Sequence, residues 1–270
     1  FAGFAFDAAN NTPLPNALLS IPAILLENVA GDCSVTLTGA ADRLAQAAAE
    51  WANWLNPSPA IETPRLLPAR PEPLAERAWI ARVNGALRDI AAGSVDKVVL
   101  SRSQKFEASG PFSPADILTR LIEQQPAGLI YAYGNGQQTF LGATPERLVR
   151  RHGRQVDVDA LAGTAWPGSL ALSESKNRHE QSLVVRAICD ALSPLCEAAP
   201  SVGPIEEHLA GRLAHWRNRI TADVQAGTSL FDLVRTLHPT PAVGGFPSAA
   251  AQSWLATHGE QRSGWYSGGF

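Results

Sequence analysis

The chain contains no methionine, not even at position 1, where Phe1 stands in a segment with neither a basic stretch nor a cleavage site. A complete translation product begins with Met, so the sequence is expected to be a fragment or a processed chain. Its three cysteines, Cys33, Cys189 and Cys196, are few, odd in number and lack metal-site spacing. They are expected as reduced, buried thiols of a cytoplasmic protein, although two of them remain able to pair. Long apolar runs are also missing. The longest, Ile21 to Leu26, contains Pro22 and falls far short of the roughly 18 residues of a membrane helix, so no membrane segment is expected. A basic surplus is absent too: the net charge of −3 argues against a nucleic-acid partner, which requires a basic face. What is present is 270 residues with 45% hydrophobic and 17% charged side chains. That is globular composition, and it excludes a disordered chain.

The pattern along the chain predicts alternating classes of element. Phe1 to Phe6 alternates large and small residues as a strand does and ends at Asn10-Asn11, and Ala23 to Glu27 reads as a second strand leading into Gly31-Asp32. Leu44, Ala48, Trp51 and Leu55 recur at helical spacing within a helix over 40–55. Residues 57–73 contain six prolines and are expected as an extended connector inside one domain. A helix over 74–92 follows, with Trp79, Val83, Leu87 and Ile90 on its stripe, then a strand from Lys97 to Arg102. Ser113-Pro114 caps a helix reaching Gln124. Leu129–Gly134 with Thr139–Ala143, and Leu148–Arg151 with Arg154–Leu161, read as hairpins. Further helices are expected over 174–192, 229–237 and 248–256, and a strand over 265–270. Hairpins with helices between them indicate an α+β class with largely antiparallel sheet.

Four segments carry chemistry. Lys97 heads an otherwise apolar strand, where desolvation favours use of the amine as a base, while a strand-end lysine reaching solvent is the simpler reading. Glu146 follows Thr144-Pro145, and if the strand resumes there its carboxyl shares a face with Leu148 and is held protonated; pairing with Arg147 or Arg150 in a turn is the alternative. Glu180 lies in line with Val184, Ala187, Ile188 and Ala191, so a carboxylate heads a stripe that should be buried and requires a metal, a cation or a hydrogen-bond set. The helix macrodipole offers the competing account. His238-Pro239-Thr240-Pro241-Ala242-Val243-Gly244-Gly245 makes a stiff loop of small residues whose backbone can approach a ligand closely, with a tight interhelical turn as the alternative.

Together the Lys97 strand, Gly142-Ala143-Thr144-Pro145-Glu146, the Leu161-Ala162-Gly163-Thr164 turn, Lys176-Asn177-Arg178-His179-Glu180 and the His238 to Gly245 loop occur in an order that resembles the chorismate-utilising enzymes, most closely the isochorismate synthases. The resemblance runs from Asp96 to Gly268 and implies the fold of that family, packed antiparallel sheets with helices outside. It also implies chorismate as substrate, Lys97 as the base that activates water for attack at C2, and Glu146 as the acid for the departing C4 hydroxyl. Glu180 is implied as a ligand of Mg²⁺, and Ala162, Gly163, Thr164, His215, Thr240 and Ala242 as substrate contacts. Anthranilate synthases usually carry glutamine at the place of Lys97, aminodeoxychorismate synthases a nucleophilic lysine at that of Ala162, and salicylate synthases threonine at that of Ala242. The expected activity is therefore isochorismate synthesis for menaquinone or a siderophore, by a monomer needing no glutamine amidotransferase subunit. Salicylate synthase, component I of anthranilate synthase and a chorismate-binding protein without turnover are the alternatives. Trp216 and Asn218 depart from the family's usual His-Leu-x-Thr-x-Ile. Family members also continue past the last residues here with an arginine for the substrate and a second glutamate for Mg²⁺, so residues 1–270 alone are expected to be inactive.

Overall fold

The computed structural model describes residues 1–7, 13–54, 64–68, 73–169, 174–260 and 262–270. The chain packs as two compact units, Phe1–Arg65 with Ser263–Phe270, and Leu66–Arg262. The division falls within the proline-rich stretch expected as a connector, most of which lies outside the described residues, as does the expected turn at Asn10-Asn11.

In the smaller unit, β1 (Ala2–Phe4) pairs antiparallel with β2 (Ala17–Leu19), and β3 (Ile24–Val29) with β4 (Asp32–Leu37). The second hairpin turns on Ala30 and Gly31, both at positive φ, the combination that matches the twist of the flanking strands. The helix α1 spans Leu44–Trp54. Residues 265–270 do not form the expected strand. Gly264 and Ser267 both adopt positive φ, which folds the segment into turns and leaves one bridge, Phe4 to Gly269. Trp265 is 2% exposed there, its indole N–H donating to the Pro15 carbonyl at 2.7 Å. The cysteines are all free, and Cys33 is exposed, not buried as expected, because it lies in β4 of a hairpin whose residues are mostly solvent-facing.

The larger unit is built on a four-stranded antiparallel sheet in the order β10-β11-β9-β8, from β8 (Arg150–His152), β9 (Gln155–Ala165), β10 (Ser201–Ala210) and β11 (Leu213–Asp223). Val156, Val158, Ala160 and Ala162 alternate along β9 and face inward with Ile220 of β11. Against them pack Val184, Ile188 and Leu192 of α4 (Ser175–Leu192), with Leu233 and Leu237 of α5 (Leu230–Leu237). The outward positions carry cross-strand ion pairs, Arg219 with Asp157 and Arg217 with Glu206. Around this core lie α2 (Pro73–Ala91), α3 (Pro114–Gln124), the hairpin β6 (Leu129–Gly134) and β7 (Thr139–Thr144), and α6 (Ser248–Thr257). Among the described residues no helix is long and apolar enough to cross a membrane.

The α+β class holds, with three local corrections. The strand expected from Lys97 to Arg102 is only β5, Lys97–Val98, because its partner β12 spans just Gly245–Phe246. Leu161 to Thr164 is no turn; it lies inside β9, where the register against β11 shifts between Ala214 and Trp216. On α2 the covered stripe runs through Ala86, 4% exposed, while Leu87 is 58% exposed: at eight residues from Trp79 it lies about 80° round the helix, off the face that is covered. Leu192 is fully buried at the centre of the core, so Leu192→Ala should lower unfolding stability by about 2–5 kcal/mol, read from urea denaturation of the parent and the variant. A loss within error of zero would mean that α4 does not seal this sheet.

Candidate active site

Lys97 owes its place to a glycine. β12 runs antiparallel to β5 with Gly245 opposite Val98. Gly245 has φ +138°, and a Cβ there would lie 2.8 Å from the Ala251 methyl and against the Lys97 carbonyl, so only glycine allows the two segments this close. From that position Lys97 Nζ reaches Glu180 Oε1 at 2.7 Å. The two side chains are 14% and 28% exposed, so the pair is partly shielded from water. Glu180 sits one turn before Val184, which is 1% exposed, but the buried face of α4 is headed by Asn177 and Gln181, and Glu180 lies at its edge instead of at its head. Its partner in this structure is the Lys97 ammonium, and Lys97 is correspondingly not a strand-end lysine reaching solvent.

Glu146 does not sit on a resumed strand. β7 ends at Thr144, and the Thr144 hydroxyl accepts from the Glu146 N–H at 3.1 Å, closing a turn after which no ladder forms until β8. The carboxyl is nevertheless drawn inward, and Arg147 goes instead to Asp159 at 3.0 Å. Burial raises the Glu146 pKa above the ordinary carboxylate range, while the Lys97 charge and the Thr240 hydroxyl act in the opposite direction. Thr240, 4% exposed, stands in the loop after α5, where its carbonyl accepts from Val243 and Gly244 at 3.1 and 2.9 Å. Ala242 in the same loop packs against the core of α4 and β9. His238 is held neutral, its pKa pushed down to about 4 by burial and then by the Arg262 charge.

A second group forms on β9. Gly163, at φ +66°, carries the strand through its irregular register, and its carbonyl meets His215 Nδ1 at 3.0 Å. The Thr164 hydroxyl lies 3.1 Å from the same nitrogen. Ala162, 7% exposed, is part of the core and pairs with Trp216, over which Arg178 lies with its guanidinium 5.9 Å from the ring. The two groups are joined by α4. A Cβ on Gly163 would come within 3.2 Å of the Asn177 Cβ, so the first turn of α4 presses on the β9 irregularity, and Glu180 follows one turn later.

Sequence reasoning missed the residues that set this register. Gln181, 2% exposed, donates to the Ala160 carbonyl at 2.9 Å and to Asn218 Oδ1 at 2.8 Å, and Asn218 donates to the Gly203 carbonyl at 3.0 Å. A glutamine on the face that also carries Val184 and Ile188 was the available signal. It also gives Asn218, a departure from the family pattern, a partner. Glu180 offers a hard oxygen to a cation such as Mg²⁺, but among the described residues no three His, Cys, Asp or Glu side chains converge on one point. The set is one fitting ligand, not a complete site.

With this geometry in place, comparison with known proteins becomes informative. The model of the chorismate binding enzyme family matches residues 1–270. The chain belongs to that family. It is 35% identical over 200 residues to the salicylate biosynthesis isochorismate synthase of Pseudomonas aeruginosa, covering 70% of this chain and 42% of that protein. To the isochorismate synthase MenF of Pasteurella multocida it is 31% identical, covering 70% of this chain and 46% of that protein. The chain thus spans about half the length of the curated relatives it matches. The solved structure of MenF, the menaquinone-specific isochorismate synthase from Escherichia coli, superposes with a TM-score of 0.80 at 26% identity, covering 99% of this chain and 64% of that one.

The raised Glu146 pKa has a measurable consequence. At low pH the carboxyl is protonated in both folded and unfolded states and carries no penalty; as pH rises past its ordinary value of 4.5, the unfolded chain ionises while the folded one resists. Folding is thereby opposed, increasingly until the pH passes the raised folded value. Glu146→Gln should therefore gain stability relative to the parent as pH is raised from 4 to 7, followed by denaturant midpoints. A difference that stays flat with pH would place the carboxyl in water.

Proposed function

We propose that the protein to which this chain belongs converts chorismate to isochorismate. The observation that carries the proposal is the juxtaposition of a half-buried Glu146, whose pKa is raised by desolvation, with Lys97, an acid and a base at one site. Lys97, having first released its ammonium proton to solvent, takes a proton from the water that bonds to C2. The ring double bonds shift, the C4–oxygen bond breaks, and Glu146 delivers its proton to the departing hydroxyl. Lys97 ends protonated and Glu146 ionised, and one water is consumed for each released.

Gly163, Thr164 and His215 would face the substrate as one wall, with the buried Thr240 hydroxyl beside Glu146. Ala162 leaves no amine for a covalent route. Ala242, small where salicylate-forming members carry threonine, supports a reaction that stops at isochorismate. Mg²⁺ belongs to the proposal, with Glu180 as one of its oxygen ligands and neutralisation of the substrate's ring carboxylate as its contribution. Water as nucleophile requires no amidotransferase subunit, and the reading is of a cytoplasmic monomer serving menaquinone or siderophore synthesis.

In the whole protein, Lys97→Ala and Glu146→Ala should each lower kcat for chorismate by about 10²–10⁴-fold, with KM changing far less. Near-normal turnover in either variant removes that residue from the mechanism.

A further inference from the structure

Lys97 opens a segment that no sheet holds for long. β5 pairs with β12 over two residues, and the last ladder-like bond is Val99 N–H to the Gly244 carbonyl at 3.0 Å. Beyond it the backbone stays extended, but its polar groups turn to two charged side chains from far along the chain. Arg262 Nη2 donates to the Val99 carbonyl at 2.8 Å. The Ser101 N–H and hydroxyl both donate to Glu260 Oε1, at 2.6 and 2.5 Å. The other Glu260 oxygen accepts from Arg82 of α2 at 2.8 Å. Glu260 and Arg262 side chains are each 1% exposed, with Arg262 Nε 3.9 Å from the carboxylate.

Burying a carboxylate and a guanidinium costs desolvation that apolar residues of the same size would avoid, so stability is a weak reason for such a cluster. Geometry is a better one. A carboxylate receiving a backbone N–H and a guanidinium donating to a backbone carbonyl reproduce the two halves of a missing neighbouring strand, through charge-assisted bonds stronger than ladder bonds. Arg262 also acts on His238, the residue that begins the Thr240 loop, so one guanidinium bears on both sides of the site.

We infer that Glu260 and Arg262 are positioning residues, which hold Val99 to Ser101 in place of sheet partners and thereby aim Lys97 at its site. The inference rests on the reading of Lys97 as the base. Neither residue needs to touch substrate; both act through the backbone, within four residues of Lys97.

The test is chorismate turnover by the whole protein carrying Glu260→Gln or Ser101→Ala, each alone and each combined with Lys97→Ala. Glu260→Gln should lower kcat by about 10-fold or more, and Ser101→Ala, which keeps the N–H bond, by a smaller factor, with KM within about twofold. In the Lys97→Ala background neither should lower the residual rate further, since nothing remains to be aimed. Should Glu260→Gln not fold, Ser101→Ala carries the same comparison. Equal losses in both backgrounds would reduce the cluster to structural support, and an unchanged kcat in the parent would overturn the inference directly. If Lys97→Ala alone left turnover intact, the base reading would fall, and the inference with it, by a result distinct from either of these.

Discussion

The ion pair between Lys97 and Glu180 is the contact at which the two halves of the candidate site meet. It joins a two-residue strand to the first turns of a helix, neither of which fixes its own position. The helix end is set by the buried contacts of Asn177 on Gly163 and of Gln181 on Ala160 and Asn218. The strand is set by glycine-permitted pairing with β12 and by Glu260 and Arg262. Each side is thus anchored by buried polar groups bonded to the backbone, and the pair closes a geometry already imposed on both partners.

That arrangement separates two groups of opposite duty in a small volume. Glu146 is half-buried, with Arg147 directed to Asp159 and Lys97 to Glu180, and desolvation outweighs the attraction of Lys97, so its pKa is raised. The group formed by Gly163, Thr164 and His215 is positioned by the same helix, through Asn177 against Gly163, which links it to Lys97 and Glu180 through α4.

Much of this was legible from side-chain chemistry and less from strand geometry. The cap at Ser113 and the helices over 174–192 and 229–237 correspond to what is observed, because helical periodicity and caps are local properties, whereas Glu180 lies at the edge of the buried face of α4. Glu146 is half-buried through a turn closed on Thr144, where alternation along a strand suggests a different route inward. β10 and β11 are not legible as apolar strands because their outward face carries Glu206, Arg217 and Arg219, which interrupt the apolar signal while pairing with carboxylates across strands. The Glu260 cluster was out of reach of any local reading: Ser101 and its carboxylate partner are 159 residues apart.

The account's central claim is that an acid and a base on this chain add solvent water at one ring carbon and expel hydroxide's equivalent from another. It is tested most directly by running the whole protein on chorismate in ¹⁸O-enriched water and analysing the product by mass spectrometry and NMR. The account predicts isochorismate bearing one ¹⁸O, at the C2 hydroxyl, with no pyruvate released. Isochorismate retaining only its original oxygens, salicylate accompanied by pyruvate, or chorismate bound and recovered unchanged would contradict it.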